Sequence, residues 1–319
     1  MKTKIVSYII DVMSQSQYFD SASRNLFMDP KVTQHGSHMV MTDVTPPTKV
    51  KHINIDTRYR DDYDPSKVAD YCITLPERIN DVKSIQVVNA EIPMTFYNIS
   101  DALGNNVLHL TLGDFVVVII IPDNQYTEES LVTTINAQIA LAPLVFHDIT
   151  YAIVNRRSVF TNASSVECEI TFDVTTQGSV DLQNATYKLG WLLGYRSQVY
   201  RLLSTASLTS DAFVDLYGPR YLYLVVDEFK NGNPHSFTSL LQESAVNGSQ
   251  ILARFAMNPL YYAYGDLFPV HGDFIDSDVR KYTGTVNLQR LQVKLVNERG
   301  VPLNLNGMDF SFCMVATHE

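Results

Sequence analysis

The sequence predicts an all-β protein that carries one short helix, and three observations lead to this fold class. Short segments in which apolar and polar residues alternate recur along most of the chain, bounded by Gly, Pro, Asn and Ser. Strand signals outnumber helix signals by about ten to one or two. Aromatic residues make up 11% of the chain, with 18 Tyr and 15 Phe against a single Trp, and aromatic side chains favour strands. The chain is therefore expected to bury its core between packed sheets.

Length and charge limit the classes of protein that fit. The chain has 319 residues and a formal net charge of -10. A prior of about 150 residues per domain suggests two domains, although single β-sandwiches of roughly 200–250 residues are common. Binding to nucleic acid needs clustered Lys and Arg that displace counterions. The acidic balance therefore predicts no nucleic-acid partner, and a local basic patch stays open.

Cysteine usage and the apolar segments predict an intracellular protein. Cys72, Cys168 and Cys313 are isolated in the sequence and odd in number, which favours three buried free thiols in a reducing compartment. The N-terminus lacks the pattern of a secretory signal. The most apolar segment, Phe115–Pro122, is far shorter than the roughly 20 residues of a membrane span. Synthesis and retention in the cytosol are expected.

The first residues, Met1–Pro47, are predicted to form an extended N-terminal arm, and residues 48–319 the sandwich domain with its insertions. The arm has poor periodicity and ends in Thr45-Pro46-Pro47. It is either a disordered tail or an ordered strap on a neighbouring subunit. Its large apolar groups favour the strap, and those predicted to contact a partner are Tyr8, Ile9, Tyr18, Phe19 and Phe27.

The body begins with a series of strands. The segments Tyr71–Pro76 and Val82–Ile92 are predicted as separate strands. The run Phe115–Ile121 is apolar at every position, and such a run is typical of a strand buried on both faces. Further strands are predicted over Val50–Ile55, Val107–Leu112, Val145–Val154, Val159–Phe160, Val166–Val174, Tyr221–Val226, Ile251–Phe255 and Pro259–Tyr264.

One helix is predicted after Thr127. Thr127 is a suitable N-cap, and Glu128 and Glu129 favour the positive end of the helix dipole. Apolar residues at helical spacing then share one face until Pro143 ends the helix: Leu131, Ile135 and Ile139. The Gly-bounded segment Lys188–Arg196, which holds the single Trp, is predicted to be a short or helical turn at one end of a sandwich.

The last part of the chain, Lys281–Val315, is predicted to be an antiparallel hairpin. Two alternating runs flank the polar turn Asn297–Gly300. The apolar phase changes near Gln289, which predicts a β-bulge there. The final alternating run is expected to be a central or a barrel-closing strand.

Catalytic and metal-binding patterns are weak. The sequence contains no G-x-S-x-G, no P-loop and no H-E-x-x-H motif. A loop with Asp273, Asp276 and Asp278 lacks the Gly and closing Glu of a calcium loop. The protein is therefore predicted to be no enzyme and to hold no cofactor and no metal. Candidate contact residues are instead the aromatic and Arg side chains that carry interface energy, namely Arg58, Tyr59, Arg60, Tyr261, Tyr262 and Tyr264; ordinary core or rim packing is the competing interpretation.

Five segments occur in an order that resembles a known family. They are HINIDTRYRDDY, ITLPERINDVKSIQVVNAEIPMTFYNIS, IPDNQYTEESLVTTINAQI, LGWLLGYR and KYTGTVNLQRLQVKLVNERGVPLNLNGMDFSF. Between Lys49 and Phe312 the chain resembles minor capsid proteins of nucleocytoplasmic large DNA viruses, the giant icosahedral viruses of algae and amoebae. The resemblance implies a jelly-roll-type antiparallel β-sandwich.

The resemblance also implies a function and a set of partners. The chain would be a structural protein that cements capsomers of the major capsid protein in an icosahedral shell. Its partners would be the major capsid protein, other minor capsid proteins and further copies of itself, in a virion assembled in the host cytoplasm, with a place near the inner viral membrane left open. No small-molecule substrate is expected. The alternatives are a penton or vertex protein, a carbohydrate- or receptor-binding β-sandwich, and a hydrolase built on loop carboxylates.

Overall fold

The computed structural model describes residues 47–175, 177–179, 181, 185–229, 250–257 and 262–319. Residues Val50–His318 belong to one compact unit. The predicted contact residues Tyr8, Ile9, Tyr18, Phe19, Phe27 and Tyr261, with the rest of the predicted arm up to residue 46, lie outside the described residues. The described strands are β1 Lys49–Asp56, β2 Asp70–Pro93, β3 Val107–Leu112, β4 Phe115–Ile120, β5 Ile149–Val154, β6 Arg157–Asn162, β7 Cys168–Thr171, β8 Val199–Leu202, β9 Ala206–Thr209, β10 Tyr221–Asp227, β11 Ile251–Ala256, β12 Leu267–Val270, β13 Ile275–Asp276, β14 Arg280–Asn297 and β15 Ser311–His318.

A large antiparallel sheet is organised around β2. Its strand order is β1-β15-β2-β14-β10-β11-β13, and β12 also pairs with β2. The two strands predicted at Tyr71–Pro76 and Val82–Ile92 are one continuous strand of 24 residues. A residue with positive φ, Asp81 at 54°, lies between the two predicted segments. The core against this sheet includes Ile55, Val82, Ile85, Ile92, Leu224, Leu291, Val293, Phe312 and Met314.

The predicted terminal hairpin is wrong in its pairing. Strands β14 and β15 do not pair with each other, because β2 lies between them and pairs with both. After the turn at Asn297–Gly300 the chain returns only far enough for Leu303 to donate to the Leu295 carbonyl at 2.9 Å. A strand as long as β2 offers two full edges of backbone donors and acceptors, so each terminal strand satisfies its own groups on a different edge.

Two other expectations for this region are confirmed. The register between β14 and β2 shifts between Leu288 and Arg290, where a β-bulge was expected; Leu288 pairs with Ile79 and Arg290 with Thr74, so the extra residues of this irregularity lie on β2. Leu288 and Leu291 are both fully buried although they are three residues apart, which an unbroken strand with a period of two would not allow. The last strand, β15, lies inside the sheet between β1 and β2, as a central strand should.

The residues between β2 and β10 form a second core. A four-stranded sheet in the order β4-β3-β7-β8 and a three-stranded sheet in the order β5-β6-β9 enclose it. Helix α1, Glu128–Leu141, packs into it through the three residues predicted to share a face. Thr127 caps the helix as predicted, because its hydroxyl accepts from the Ser130 backbone while the Ser130 hydroxyl accepts from the Thr127 backbone.

The expectation that Phe115–Ile121 is buried on both faces is wrong for strand β4. This strand is at the edge of its sheet, and Phe115, Val116 and Ile120 are 55%, 60% and 44% exposed. Only Ile119 and, just past the strand, Ile121 are fully enclosed by the second core. A continuous apolar run shows that a strand could be buried on both faces, but the order of strands in the sheet decides whether it is.

The predicted turn at Lys188–Arg196 contains a four-residue helix, α2, Leu189–Leu192. Leu189, Leu193 and Tyr195 are buried in the second core, whereas the ring of Trp191 reaches the surface. The three thiols are free, but the expectation that all three are buried is wrong: Cys168 is buried, whereas Cys72 and Cys313 are half-buried.

The fold class is confirmed. The described chain is mostly β, with curled antiparallel sheets and one helix longer than a single turn, which is consistent with a jelly-roll-type β-sandwich. No helix among the described residues is both long and apolar enough to span a membrane.

Two neighbouring charged residues lie where the two cores meet. Arg299 donates to the Leu103 carbonyl at 3.2 Å and stacks on the Tyr187 ring, 3.9 Å from its centroid. One carboxylate oxygen of Glu298 is buried and has no hydrogen-bond partner within the described structure. Burial raises the pKa of Glu298 above its ordinary value, because the charged form loses hydration, and the nearby Arg299 and Arg220 offset only part of that cost.

The variant Glu298→Gln is expected to be more stable than the wild type at neutral pH. A carboxyl with a raised folded-state pKa contributes full stability below its unfolded pKa and loses it as the pH rises through the folded value. The amide carries no charge, so the variant should lack this loss. Urea unfolding at a series of pH values measures the difference.

Glu77 provides a control, because its pKa is shifted in the opposite direction. The hydrogen bond from Lys51 lowers the pKa of the exposed Glu77, so Glu77→Gln should lower stability slightly at neutral pH and have no effect in acid. A stability curve for Glu298→Gln that runs parallel to the wild type from acid to neutral pH would contradict the prediction.

Candidate interaction surfaces

The described residues contain no group of three or more His, Cys, Asp or Glu side chains arranged to hold a metal ion. The other candidate functional groups are the aromatic and Arg side chains that are exposed on the surface. Such side chains carry most of the energy of protein interfaces.

The predicted contact residues after β1 divide into two groups. Tyr59 is 74% exposed, and the neighbouring Arg58 is also on the surface, where it pairs with Asp56. Arg60 is instead buried: its guanidinium donates to the Thr57 carbonyl at 2.6 Å and to Asp309 at 2.9 Å. Arg60 thereby fixes the end of β1 to the residues before β15, and its side chain has little surface to offer a partner.

The predicted contact residues before β12 also differ. Tyr264 is 50% exposed and stacks on Tyr97, with ring centroids 6.3 Å apart. Tyr262 is half-buried against the first core, 4.4 Å from the centroid of Phe268. The structure does not bring these rings into contact with the Arg58–Tyr59 pair in any interaction it shows.

A second surface was not predicted. Three chain segments far apart in sequence bring exposed aromatic rings next to arginines, and we call this the Arg–aromatic surface. Trp191, Phe213 and Tyr217 are 37%, 58% and 45% exposed. The Arg196 guanidinium lies 4.0 Å from the Trp191 ring centroid. The Arg157 guanidinium lies 5.1 Å from Phe213, and Arg156 donates to the Tyr217 hydroxyl at 3.2 Å.

The backbone around residues 210–217 holds these segments together. Val214 donates to the Arg156 carbonyl at 2.8 Å, at the turn that joins β5 to β6. Ala212 donates to the Gly194 carbonyl at 2.9 Å, and Asp215 donates to the Leu192 carbonyl at 2.8 Å. The positions of the aromatic rings are therefore set by rigid backbone contacts and by the second core beneath them.

The three arginines of this surface differ in their partners: Arg156 lies 3.9 Å from the Glu128 carboxylate, Arg196 interacts with the charge of Asp211, and backbone carbonyls orient Arg157 and Arg196. Arg157 donates to the Ser210 and Asp211 carbonyls, and Arg196 to the Trp191 and Tyr195 carbonyls. A backbone carbonyl orients a guanidinium without neutralising it. The Asp211 carboxylate accepts from the Tyr200 hydroxyl, a hydrogen bond that lowers the pKa of Asp211 and keeps it ionised.

This arrangement suits a partner that presents carboxylates. An arginine stacked on a ring is held in one orientation, so less side-chain entropy is lost when it forms a bidentate pair. The exposed rings add apolar contact area with little rotamer freedom to lose. The signal that could have revealed the surface is the combination of the single Trp and an Arg five residues later; the Phe213–Arg157 pair has no local signature.

The described fold is a β-sandwich that exposes aromatic rings next to arginines. No family model and no curated protein matches the chain. Among solved structures it is similar to a crystal structure of the SeMet-labeled mavirus penton protein. The sequences are 9% identical, the match covers 85% of this chain and 99% of that chain, and the TM-score is 0.46. Identity this low does not carry the role of that protein over to this chain.

Proposed function

We propose that the protein is a structural component of the capsid of a large icosahedral DNA virus, where it holds neighbouring capsid subunits together. The observation that carries the proposal is the Arg–aromatic surface, a set of exposed aromatic and Arg side chains whose segments are joined by backbone hydrogen bonds on an all-β body. The ordered sequence segments between Lys49 and Phe312 that resemble minor capsid proteins support it. The role requires no reaction, no cofactor and no metal.

The main contact is expected through the Arg–aromatic surface, to a carboxylate-bearing face of the major capsid protein or of another capsid subunit. Further contacts would come from the exposed Arg58 and Tyr59, from the half-exposed Tyr264, and from the predicted arm up to Pro47. Each of these is small, so a fixed position in a shell would come from several contacts made at once. Linked contacts multiply affinity through effective concentration.

The first test is the composition of the particle. Virions purified from cells infected by the virus that encodes this chain should contain it in a fixed ratio to the major capsid protein, by quantitative mass spectrometry. Its absence from intact particles, or a ratio that varies between preparations, would end the proposal.

Oligomeric state distinguishes the finer positions within a capsid. A vertex protein should assemble into five-fold rings in mass photometry of the recombinant chain. A cement protein should remain small in solution and become ordered only on the shell.

We expect Trp191→Ala and Arg196→Gln to weaken binding to purified capsomers of the major capsid protein by about tenfold to thirtyfold each. Loss of a central aromatic or Arg anchor typically reduces binding by about 2 kcal/mol. Biolayer interferometry with immobilised capsomers measures the change. Arg201→Gln is the matched control, because Arg201 is similarly exposed and pairs with Glu167 at 3.7 Å. Equal affinities for all three variants and the wild type would reject this surface as the contact.

A further inference from the structure

The free edge of β4 is the most unusual surface of the described structure. β4 is the terminal strand of its sheet, and only β3 pairs with it among the described strands. Its pairing with β3 runs over six residue pairs, Val107↔Ile120 to Leu112↔Phe115, without a shift in register. Its sequence, FVVVII, contains no charged residue and no Pro.

Natural proteins usually protect such an edge. The common devices are an edge Lys, a Pro, a β-bulge or a very short strand, each of which prevents another strand from pairing. β4 has none of these devices. Its exposed apolar residues, at positions 115, 116 and 120, lie in water in the single chain, so pairing with a further strand would bury them and satisfy the edge backbone groups.

We propose that β4 of a second copy of this chain pairs antiparallel with this edge, with Val118 of one copy opposite Val118 of the other. The two four-stranded sheets would become one continuous sheet about a two-fold axis. The inference goes beyond the capsid role and holds whether or not the chain belongs to a capsid, because it depends only on the edge strand.

The register follows from geometry. In an antiparallel pair, opposite residues point to the same side of the sheet. A two-fold axis perpendicular to the sheet therefore needs a residue opposite itself, and Val118 is the centre of the alternating set Val116, Val118 and Ile120. In that register Val116 of each copy lies opposite Ile120 of the other. The two most exposed outward-facing side chains of the strand would then cover each other.

Charge also permits this pairing. Asp114 directly precedes the strand and Pro122 lies two residues after it, and in the proposed register each Asp114 lies opposite a Pro122. No carboxylate faces another carboxylate, which matters for a chain with a net charge of -10, since like charges directly opposite each other destabilise a pair of strands. Gly178 lies close to Val118, because a Cβ added at Gly178 would be 3.7 Å from the Val118 side chain. The second copy would therefore pair with the backbone at the edge of β4 and would not pack on this face of Val118.

The expected association is weak. The exposed parts of Phe115, Val116 and Ile120 amount to on the order of 300 Å² per copy. A standard stable interface buries about 800 Å² on each partner. The pair should therefore form at high concentration in solution, and at moderate concentration only where other contacts already hold two copies together.

The test uses the full-length chain in analytical ultracentrifugation over a wide concentration range. We expect a concentration-dependent dimer of the wild type, and association at least about tenfold weaker for Val116→Lys and for Ile120→Glu, because a charge at the edge must lose hydration on pairing. The double variant Val116→Lys/Ile120→Glu should recover much of the association, because the proposed register places the introduced charges opposite each other. Val199→Lys is the matched control: Val199 is 45% exposed on β8, at the other end of the same sheet.

Cross-linking tests the register directly. Val118→Cys should give a disulfide-linked dimer under mild oxidation, since Cβ atoms of opposite residues are about 4.5–5.5 Å apart, close to the span of a disulfide. Val199→Cys and the wild type, with its three native thiols, should give no disulfide-linked dimer under the same conditions. Unchanged melting temperatures show that the variants are folded. A wild type that is monomeric at every concentration, a dimer that Val116→Lys does not weaken, or a double variant without recovery would each overturn the proposal.

Discussion

Breaking the buried ion pair between Arg280 and Glu228 is expected to lower the free energy of unfolding by about 3–5 kcal/mol. The two side chains are 2% and 0% exposed, and their closest atoms are 2.8 Å apart. The Arg280 guanidinium also donates to the Val226 and Gln250 carbonyls, each at 2.8 Å. The Tyr282 hydroxyl donates to the Glu228 carboxylate. The pair thus connects β14 to the ends of β10 and β11.

The expected loss of stability is large because each single substitution leaves a buried charge that has lost its ion-pair partner. In Arg280→Met the Glu228 carboxylate stays in the interior and loses the Arg280 guanidinium, and in Glu228→Gln the guanidinium stays and loses the Glu228 carboxylate. The double variant removes both charges of the pair, so its loss of stability should be clearly smaller than the sum of the two single losses. Urea unfolding of the four proteins measures the cycle.

An exposed pair provides the control. Arg254 and Asp276 are 3.1 Å apart, but their side chains are 33% and 68% exposed. A pair in that environment is expected to contribute at most about 1 kcal/mol, so Arg254→Met should have a small effect. The prediction fails if Arg280→Met destabilises the protein no more than Arg254→Met does.

Gly194→Ala is expected to be the second severe substitution, and Gly265→Ala its matched control. The two glycines have nearly the same φ, +90° and +93°. A Cβ on Gly194 would lie 2.2 Å from the Ala212 carbonyl oxygen, whereas a Cβ on Gly265 would have no atom within 4 Å. The control therefore carries only the strain of the left-handed conformation, about 1–2 kcal/mol.

The clash at Gly194 should add at least about 2 kcal/mol to that strain, because backbone must move to relieve it. It should also disturb the Arg–aromatic surface, since the Gly194 carbonyl accepts from Ala212 at 2.9 Å. The single Trp191 lies three residues away, so its fluorescence reports the local structure. We expect a shifted emission maximum for Gly194→Ala and an unchanged one for Gly265→Ala; equal stability and equal spectra for the two variants would contradict this account.

Local features of the fold could be predicted well from the sequence. The helix and its Thr127 cap depend on residues within one turn of each other. The bulge near Gln289 depends on the phase of apolar residues along one strand. In both cases the determining interactions join residues close in sequence, so the pattern contains the needed information.

Pairing of strands could not be predicted in the same way. The segments 281–297 and 308–315 alternate as a hairpin should, yet each pairs with a different edge of β2. The run Phe115–Ile121 has the composition of an enclosed strand, yet β4 is at an edge. Alternation indicates which side chains share a face, but it does not indicate which strand lies alongside.

The candidate sites show the same limit. Arg60 is of a residue type that often makes interface contacts, but its guanidinium is buried and donates to Asp309, almost 250 positions away in the sequence. The Arg–aromatic surface combines residues near 156, 191 and 213, which only the folded second core brings together. Nothing in the separate segments indicates that they meet.

The sequence by itself determined the all-β class, the place and cap of the single long helix, the burial phase of most strands and the acidic character of the chain. These follow from side-chain chemistry and from interactions between near neighbours. Only the tertiary structure decided that β2 separates the terminal strands, that a second core fills the middle of the chain, and that β4 and the Arg–aromatic surface face solvent. Those features depend on hydrogen bonds and packing between residues distant in sequence. The same local pattern is compatible with many different strand pairings, and only the long-range contacts select one of them.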